Sequence, residues 1–153
     1  MQVGAASATQ DHTDATKDHR HEAIVDFALQ MAPDGLQSSL DDWMGRAAGA
    51  AHVDYGFHMA ITRSDEGTFR DMPRMVEQGI SSFKVFLAYK DVLMITDDLF
   101  MRVLEESKEH GGLVQVHAEN GWIIDRLVSE LRSSGAEVVQ PSYQGKADRK
   151  SVV

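Results

Sequence analysis

Apolar and polar residues alternate along four short stretches of the chain, and apolar residues recur at helical spacing between them. Strict alternation is typical of a strand with one buried face, and recurrence every three or four residues is typical of an amphipathic helix. The alternating stretches cover 23–30, 52–62, 81–89 and 111–120. The pattern therefore predicts four strands that alternate with four helices, at about 30 residues per strand-helix unit.

The first two predicted helices are marked by capping residues and by their apolar positions. Ser38 or Ser39 is expected to cap a helix that runs to about Ala51, and a shorter helix is expected over about 68–78. Gly79 is expected to end the shorter helix before the third strand. The residues expected to face inward from these two helices are Leu40, Trp43, Met44, Ala47, Phe69, Met72, Met75 and Val76.

The third and fourth predicted helices flank the last strand. Thr96 is expected to cap the third helix, and Gly111 or Gly112 is expected to end it. The fourth helix is expected over 121–134. The residues expected to face inward from these two helices are Leu99, Phe100, Val103, Leu104, Ile123, Ile124, Leu127, Val128 and Leu131.

Lys84 and His117 fall on the two strands that the third helix connects. Such a crossover makes the strands parallel and brings their C-terminal ends to one edge, where α/β proteins place their chemistry. Alternation puts Lys84 on the same sheet face as Phe86, and it puts His117 on the same face as Gln115. A divalent metal site is one interpretation of this pair. A strand-end lysine with its amine in water and an interior histidine bonded to the backbone is the other.

Composition and charge bound the possible functions. The chain has 153 residues, a formal net charge of −9 and no cysteine, so the sequence favours neither nucleic acid nor an anionic membrane as a partner and holds no disulfide or thiol nucleophile. No apolar run approaches the roughly 20 residues of a membrane span, and the first residues lack the order of a signal peptide, so the cytoplasm is the expected location. The length suits one domain but falls short of the about 250 residues of an eight-stranded barrel.

Three sequence segments resemble those of a known family. The words DYGFHMAIT at 54–62, GISSFKVFLAYK at 79–90 and VHAENG at 116–121 resemble the dihydropyrimidinases and D-hydantoinases, which are metal-dependent amidohydrolases. The resemblance runs from 24 to about 135 and covers about a quarter of a full-length member, which folds as a (β/α)8 barrel. It implies an α/β fold with part of such a barrel over 23–135. The flanking segments are expected to be a polar, disordered tail over 1–22 and a divergent tail over 136–153.

The resemblance also implies roles for three residues. Lys84 matches the family's lysine that carbon dioxide converts to a carbamate bridging two divalent metal ions, with zinc as the first expectation. His117 matches a histidine that ligates one of those ions, and Tyr89 matches a tyrosine that contacts the substrate carbonyl and the developing oxyanion. The implied substrates are small cyclic amides, dihydropyrimidines or 5-substituted hydantoins, which are opened to N-carbamoyl amino acids. A complete member is expected to be a homo-oligomer.

Other histidines are less suited to the metal. His19 and His21 resemble the family's His-x-His motif in spelling, but they lie directly before the first strand, so a solvated polar tail is favoured. His58 is a possible ligand, although the family does not use this position, and a hydrogen-bonded interior histidine is favoured.

The resemblance leaves three hypotheses about activity. The first is a cyclic-amide hydrolase lineage, supported by Lys84 and His117. The second is a non-catalytic scaffold similar to the collapsin response mediator proteins, which lack the lysine at this place. The third is that this chain, without most of the expected ligands, is inactive alone, as a truncated or frame-shifted reading frame would be; its sheet edges and apolar surface would then be exposed.

Overall fold

The computed structural model describes residues 23–31 and 35–135, which form four strands and four helices in strict alternation. The strands are β1 (Ala23–Leu29), β2 (Asp54–Ala60), β3 (Ser82–Phe86) and β4 (Leu113–His117). The helices are α1 (Leu36–Ala47), α2 (Glu66–Glu77), α3 (Asp97–His110) and α4 (Gly121–Ser133). The predicted α/β class and element order are confirmed, with strands somewhat shorter than the alternating stretches.

All strand pairs of the sheet are parallel, and the strand order is β1-β2-β3-β4. Each of the helices α1 to α3 therefore crosses over to place the next strand beside the previous one. This order repeats one strand-helix unit around a curved sheet, as in a barrel. Within the described residues, β1 and β4 are the edge strands.

The core lies between one face of the sheet and helices α1 to α3. The fully buried side chains include Met59, Phe83 and Val85 from the sheet and Leu36, Met72 and Val103 from the helices. The opposite sheet face carries Lys84, which has intermediate burial, so the two faces differ as the alternation predicts.

The start of α1 differs from its predicted cap. The helix begins at Leu36, so Ser38 and Ser39 lie inside it, and their hydroxyl groups are buried without a hydrogen-bond partner. The cap comes instead from α2, where the buried Asp71 carboxylate accepts the N–H of Leu36 at 3.0 Å and the N–H of Gln37 at 3.3 Å. A carboxylate that reaches the first turn from another helix satisfies the same donors as a local cap.

Helix α1 ends at Ala47 rather than at about Ala51, whereas the ends of the other helices lie close to their predicted positions. Asp65 caps α2, where its carboxylate accepts the N–H of Thr68 at 2.8 Å. Thr96 occupies the N-cap of α3, and Gly111 ends it in the left-handed conformation with φ 76°. That conformation favours glycine because it has no Cβ.

Helix α4 overturns one expectation about packing. Its apolar side chains were expected to face inward, but Ile123 is 57% exposed and Leu127 is 45% exposed, and the buried residue of this helix is Gly121. The side chains of Trp122 and Leu131 are exposed as well. Helix α4 thus has an apolar face, as predicted, but no described element packs against that face.

Both predicted tails, 1–22 and 136–153, lie outside the described residues, as do His12, His19 and His21. The structure therefore tests neither the tail boundaries nor the histidine pair.

Candidate metal and substrate site

Lys84 and His117 lie on the same face of neighbouring parallel strands. The register pairs Lys84 with Gln115 and Phe86 with His117. Because side chains alternate with a period of two, His117 lies on the same face as Lys84. It is two residues nearer the C-terminal edge of the sheet, since its partner in the register is Phe86.

The amine of Lys84 lies between two aromatic rings. Its Nζ is 5.6 Å from the ring centroid of Phe27 on β1 and 5.4 Å from that of Phe86 on its own strand. Burial lowers the pKa of Lys84, because removal from water disfavours the ammonium form. A lower pKa increases the fraction of neutral amine, which is the form that reacts with carbon dioxide.

His117 is held by a carboxylate from its own strand end. Its Nε2 donates to Oε2 of Glu119 at 2.7 Å, and both side chains are largely shielded from solvent. A metal ion that bound His117 through Nε2 would have to displace this carboxylate. Glu119 is therefore a neighbour of the site that alternation alone did not single out.

Tyr89 reaches the site from the loop after β3. Its ring centroid is 5.1 Å from that of His117 and 5.8 Å from that of Phe86. Tyr89 has φ 63°, a left-handed conformation that side-chain-bearing residues rarely adopt. Strained residues of this kind persist where their surroundings hold them, and they cluster at functional sites.

His58 belongs to a hydrogen-bonded group on the same face. Its Nδ1 bonds the hydroxyl of Ser82, and Nε2 of Gln115 lies 3.2 Å from the same ring nitrogen. These contacts connect β2, β3 and β4, with Gln115 level with Lys84 and Ser82 two residues before it on β3. The favoured interior role of His58 agrees with this geometry.

The donor set in the described part of the chain is incomplete for a binuclear metal site. Residues 23–31 and 35–135 contain no group of three or more His, Cys, Asp or Glu side chains that could hold a metal ion. Lys84 as a carbamate and His117 are the two donors whose chemistry fits. The residues present thus fit part of such a centre.

The comparisons with known proteins agree on one family. The D-hydantoinase of Streptomyces coelicolor is 38% identical over 130 residues, which are 85% of this chain and 27% of the relative. The dihydropyrimidinase of Arabidopsis thaliana is 61% identical over 108 residues, or 65% of this chain and 20% of the relative. The chain belongs to the dihydropyrimidinase and D-hydantoinase family. No protein-family profile matches it.

Solved structures of this family share the fold. The dihydropyrimidinase of Brevibacillus agri matches with a TM-score of 0.75 and 39% identity over 80% of this chain and 27% of its own. A D-hydantoinase from Bacillus sp. AR9 matches with a TM-score of 0.74 and 36% identity over 83% of this chain and 28% of its own. This dihydropyrimidinase-type chain therefore spans about a quarter of its relatives, and its four units are part of a (β/α)8 barrel. None of its described helices has the length and apolar content of a membrane span.

Proposed function

We propose that this chain supplies part of the active site of a metal-dependent hydrolase of cyclic amides. The expected reaction opens dihydropyrimidine or 5-substituted hydantoin rings to N-carbamoyl amino acids. The observation that carries the proposal is the meeting of Lys84, Tyr89 and His117 at one edge of one sheet face, in a chain 38% identical to a D-hydantoinase.

Each of the three residues has a role that suits its surroundings. The neutral Lys84 amine would attack the carbon of carbon dioxide and lose a proton to solvent, which leaves a carbamate with anionic oxygen ligands. The His117 imidazole would supply a nitrogen ligand. Two bound divalent ions, with zinc as the first expectation, would supply Lewis acidity for water and for the substrate carbonyl.

Tyr89 would act on the substrate rather than on the metal. Its ring lies against that of His117, so its hydroxyl belongs to the same edge of the sheet. A hydroxyl donor near the place where negative charge develops on the amide oxygen stabilises the transition state. This role needs the hydroxyl group and not only the ring.

We also propose that the described residues need further polypeptide to complete the site. They provide two of the donors that a binuclear centre requires, and they leave the apolar face of α4 exposed. In a closed barrel each sheet edge pairs with another strand and each helix packs on the next. Residues 23–135 alone are therefore expected to bind metal weakly and to lack ring-opening activity.

Zinc binding by the purified chain, followed by calorimetry in the presence of bicarbonate, tests the proposal. The proposal predicts weak binding that is lost in Lys84→Ala and in His117→Ala but kept in Lys108→Ala, which removes an exposed lysine on α3. Binding that all three variants retain would overturn the assignment of Lys84 and His117.

An assay for N-carbamoyl products with dihydrouracil and a 5-substituted hydantoin tests completeness. Ring opening by the chain alone would show that the site is complete, contrary to our proposal. A chain that binds zinc through Lys84 and His117 yet opens no ring agrees with it. If the wild-type chain binds no zinc, the result favours the second candidate function, a non-catalytic scaffold. The presence of Lys84 argues against a scaffold of that kind.

A further inference from the structure

Gly121, the first residue of α4, lies against the loop that carries Tyr89. Its N–H donates to the carbonyl oxygen of Leu87 at 2.9 Å, and it is buried while the rest of its helix is not. A Cβ added at this position would lie 2.7 Å from Sδ of Met94, 2.9 Å from the Leu87 oxygen and 3.1 Å from Cα of Ala88. Two of these three atoms are backbone, so a flexible side chain cannot relieve the whole contact.

The loop segment that touches Gly121 leads directly into the turn of Tyr89. The N–H of Leu87 donates to the carbonyl oxygen of His117 at 2.9 Å, which ties the loop start to the end of β4. Beyond Tyr89, the N–H groups of Val92 and Leu93 donate to its carbonyl oxygen at 3.0 Å each. The left-handed Tyr89 is therefore held by a turn on one side and by β4 and α4 on the other.

A second contact holds the same loop to α4. Nζ of Lys90 lies 2.9 Å from Oδ2 of Asp125 and 4.7 Å from the ring centroid of Trp122. This ion pair is partly exposed and so contributes little alone. It is a second point of contact between α4 and the loop, whereas Gly121 sets how closely the two backbones approach.

We propose that Gly121 is a positioning residue for Tyr89. The missing side chain lets the start of α4 lie directly on Leu87 and Ala88, and this close approach places the Tyr89 ring beside His117. The inference rests on the role proposed above for Tyr89, and it adds a residue that acts through the loop backbone without touching substrate.

The test compares two glycine-to-alanine substitutions at helical positions of the full chain. Gly121→Ala introduces the contacts described above, whereas Gly45→Ala in α1 is the matched control, because a Cβ there would have nothing within 4 Å. Alanine is favoured over glycine in a helix at both positions, so helix propensity cannot explain a loss in only one of them.

The readout is the nuclear Overhauser contact between the ring protons of Tyr89 and His117, which requires neither metal nor substrate. We expect the contact in the wild type and in Gly45→Ala and its loss in Gly121→Ala, with circular dichroism showing that the fold persists. A Gly121→Ala protein that keeps the contact and its chemical shifts would overturn the proposal.

A double variant separates backbone from side-chain contact. Met94→Ala removes the sulfur nearest the added Cβ, but the atoms of Leu87 and Ala88 remain. In the double variant Gly121→Ala and Met94→Ala, the Tyr89 ring is therefore expected to remain displaced from His117. Full restoration of the ring contact would show that a movable side chain set the spacing, and the proposal would be wrong.

A wild-type measurement covers the case in which Gly121→Ala does not fold. The N–H of Gly121 is expected to exchange with solvent much more slowly than that of Trp122, the next residue of the uncovered helix. Equal exchange rates would contradict the docking of α4 on the loop. Neither this measurement nor the ring contact depends on zinc. A negative result in them would refute the role of Gly121 without refuting the metal site, and absent zinc binding would refute the metal site without refuting the role of Gly121.

Discussion

The ring of Tyr89 lies beside that of His117, with centroids 5.1 Å apart and planes inclined at 45°. The two residues come from different strand-loop junctions, and Phe86 touches both rings, at 5.8 Å from Tyr89 and 5.9 Å from His117. Aromatic contacts of this size contribute about 1 kcal/mol each. The cluster thus places a hydroxyl group and an imidazole at one edge of the sheet.

Removal of the Asp71 carboxylate should destabilise the fold. Asp71→Ala leaves the buried N–H of Leu36 without its acceptor and removes a partner of Arg70 at 3.1 Å, so we expect a loss of about 2 kcal/mol in the free energy of unfolding. Urea unfolding followed by circular dichroism measures it. Asp42→Ala is the control, because the Asp42 pair with Arg46 is exposed and should contribute less than about 0.5 kcal/mol. Equal losses of stability in Asp71→Ala and Asp42→Ala would contradict the capping of α1 by Asp71.

Two leucines on consecutive helices of the chain should respond differently to truncation. Leu99 on α3 is 6% exposed and Leu127 on α4 is 45% exposed. Leu99→Ala should cost about 3 kcal/mol because it opens a cavity in the core, whereas Leu127→Ala should cost less than about 0.5 kcal/mol. Chemical denaturation of both variants gives the comparison. A large loss in Leu127→Ala would show that the face of α4 is covered in solution.

Asp98 should make stability depend on acid pH. The hydroxyl of Thr96 donates to its carboxylate and holds the pKa of Asp98 below its ordinary value of 3.8. Since the folded pKa is the lower one, ionised Asp98 stabilises the fold above pH 3.8, and this contribution is lost as the pH falls through the folded pKa. Asp98→Asn should therefore be less stable than the wild type at neutral pH and equally stable in acid. A difference that does not change with pH would refute this linkage, and Asp97→Asn controls for the loss of charge at the same helix end.

Gln30 should be sensitive to an apolar replacement although it lies outside the site. Its buried Oε1 accepts the N–H of Thr62 at 3.1 Å and of Arg63 at 3.2 Å, and its Nε2 donates to the Thr68 hydroxyl at 2.7 Å. Gln30→Leu removes the acceptor of the Thr62 and Arg63 N–H groups and should cost about 3 kcal/mol in the free energy of unfolding, measured by thermal or urea unfolding. Gln37→Leu, on the surface of α1, should cost little, and a similar loss in both would speak against this network.

Local pattern was sufficient for much of the fold. Alternation predicted the four strands and, within its own strand, the face that carries Lys84 or His117, because each depends only on a period of two along the chain. That the two residues share one face follows from the register between β3 and β4. Thr96 and Gly111 marked the ends of α3 for the same reason, since a helix end depends on its own few residues. The roles of Lys84, Tyr89 and His117 came from the family resemblance and remain predictions.

Contacts between distant segments were beyond the sequence pattern. Ser38 and Ser39 were plausible caps, but α1 begins at Leu36, and the carboxylate of Asp71 on another helix accepts its first N–H group. The left-handed turn of Tyr89 and the close approach of Gly121 have no local signature, because they arise where β3, β4 and α4 meet. The apolar residues along one side of α4 predicted a buried face, but this face is exposed. Such a pattern shows that a helix can pack through one side, and it does not show which element covers that side.

Periodicity and short crossovers along the chain were enough to predict the alternation of strands and helices, the parallel direction of the strands and the neighbours of Lys84 and His117 within their own strands. The packed structure was needed to place Tyr89 beside His117 and the Lys84 amine near the rings of Phe27 and Phe86, and to show that no element within 23–31 and 35–135 covers the apolar face of α4. The physical reason is that periodicity records which side of an element is apolar, whereas neighbours across space depend on how all elements pack together.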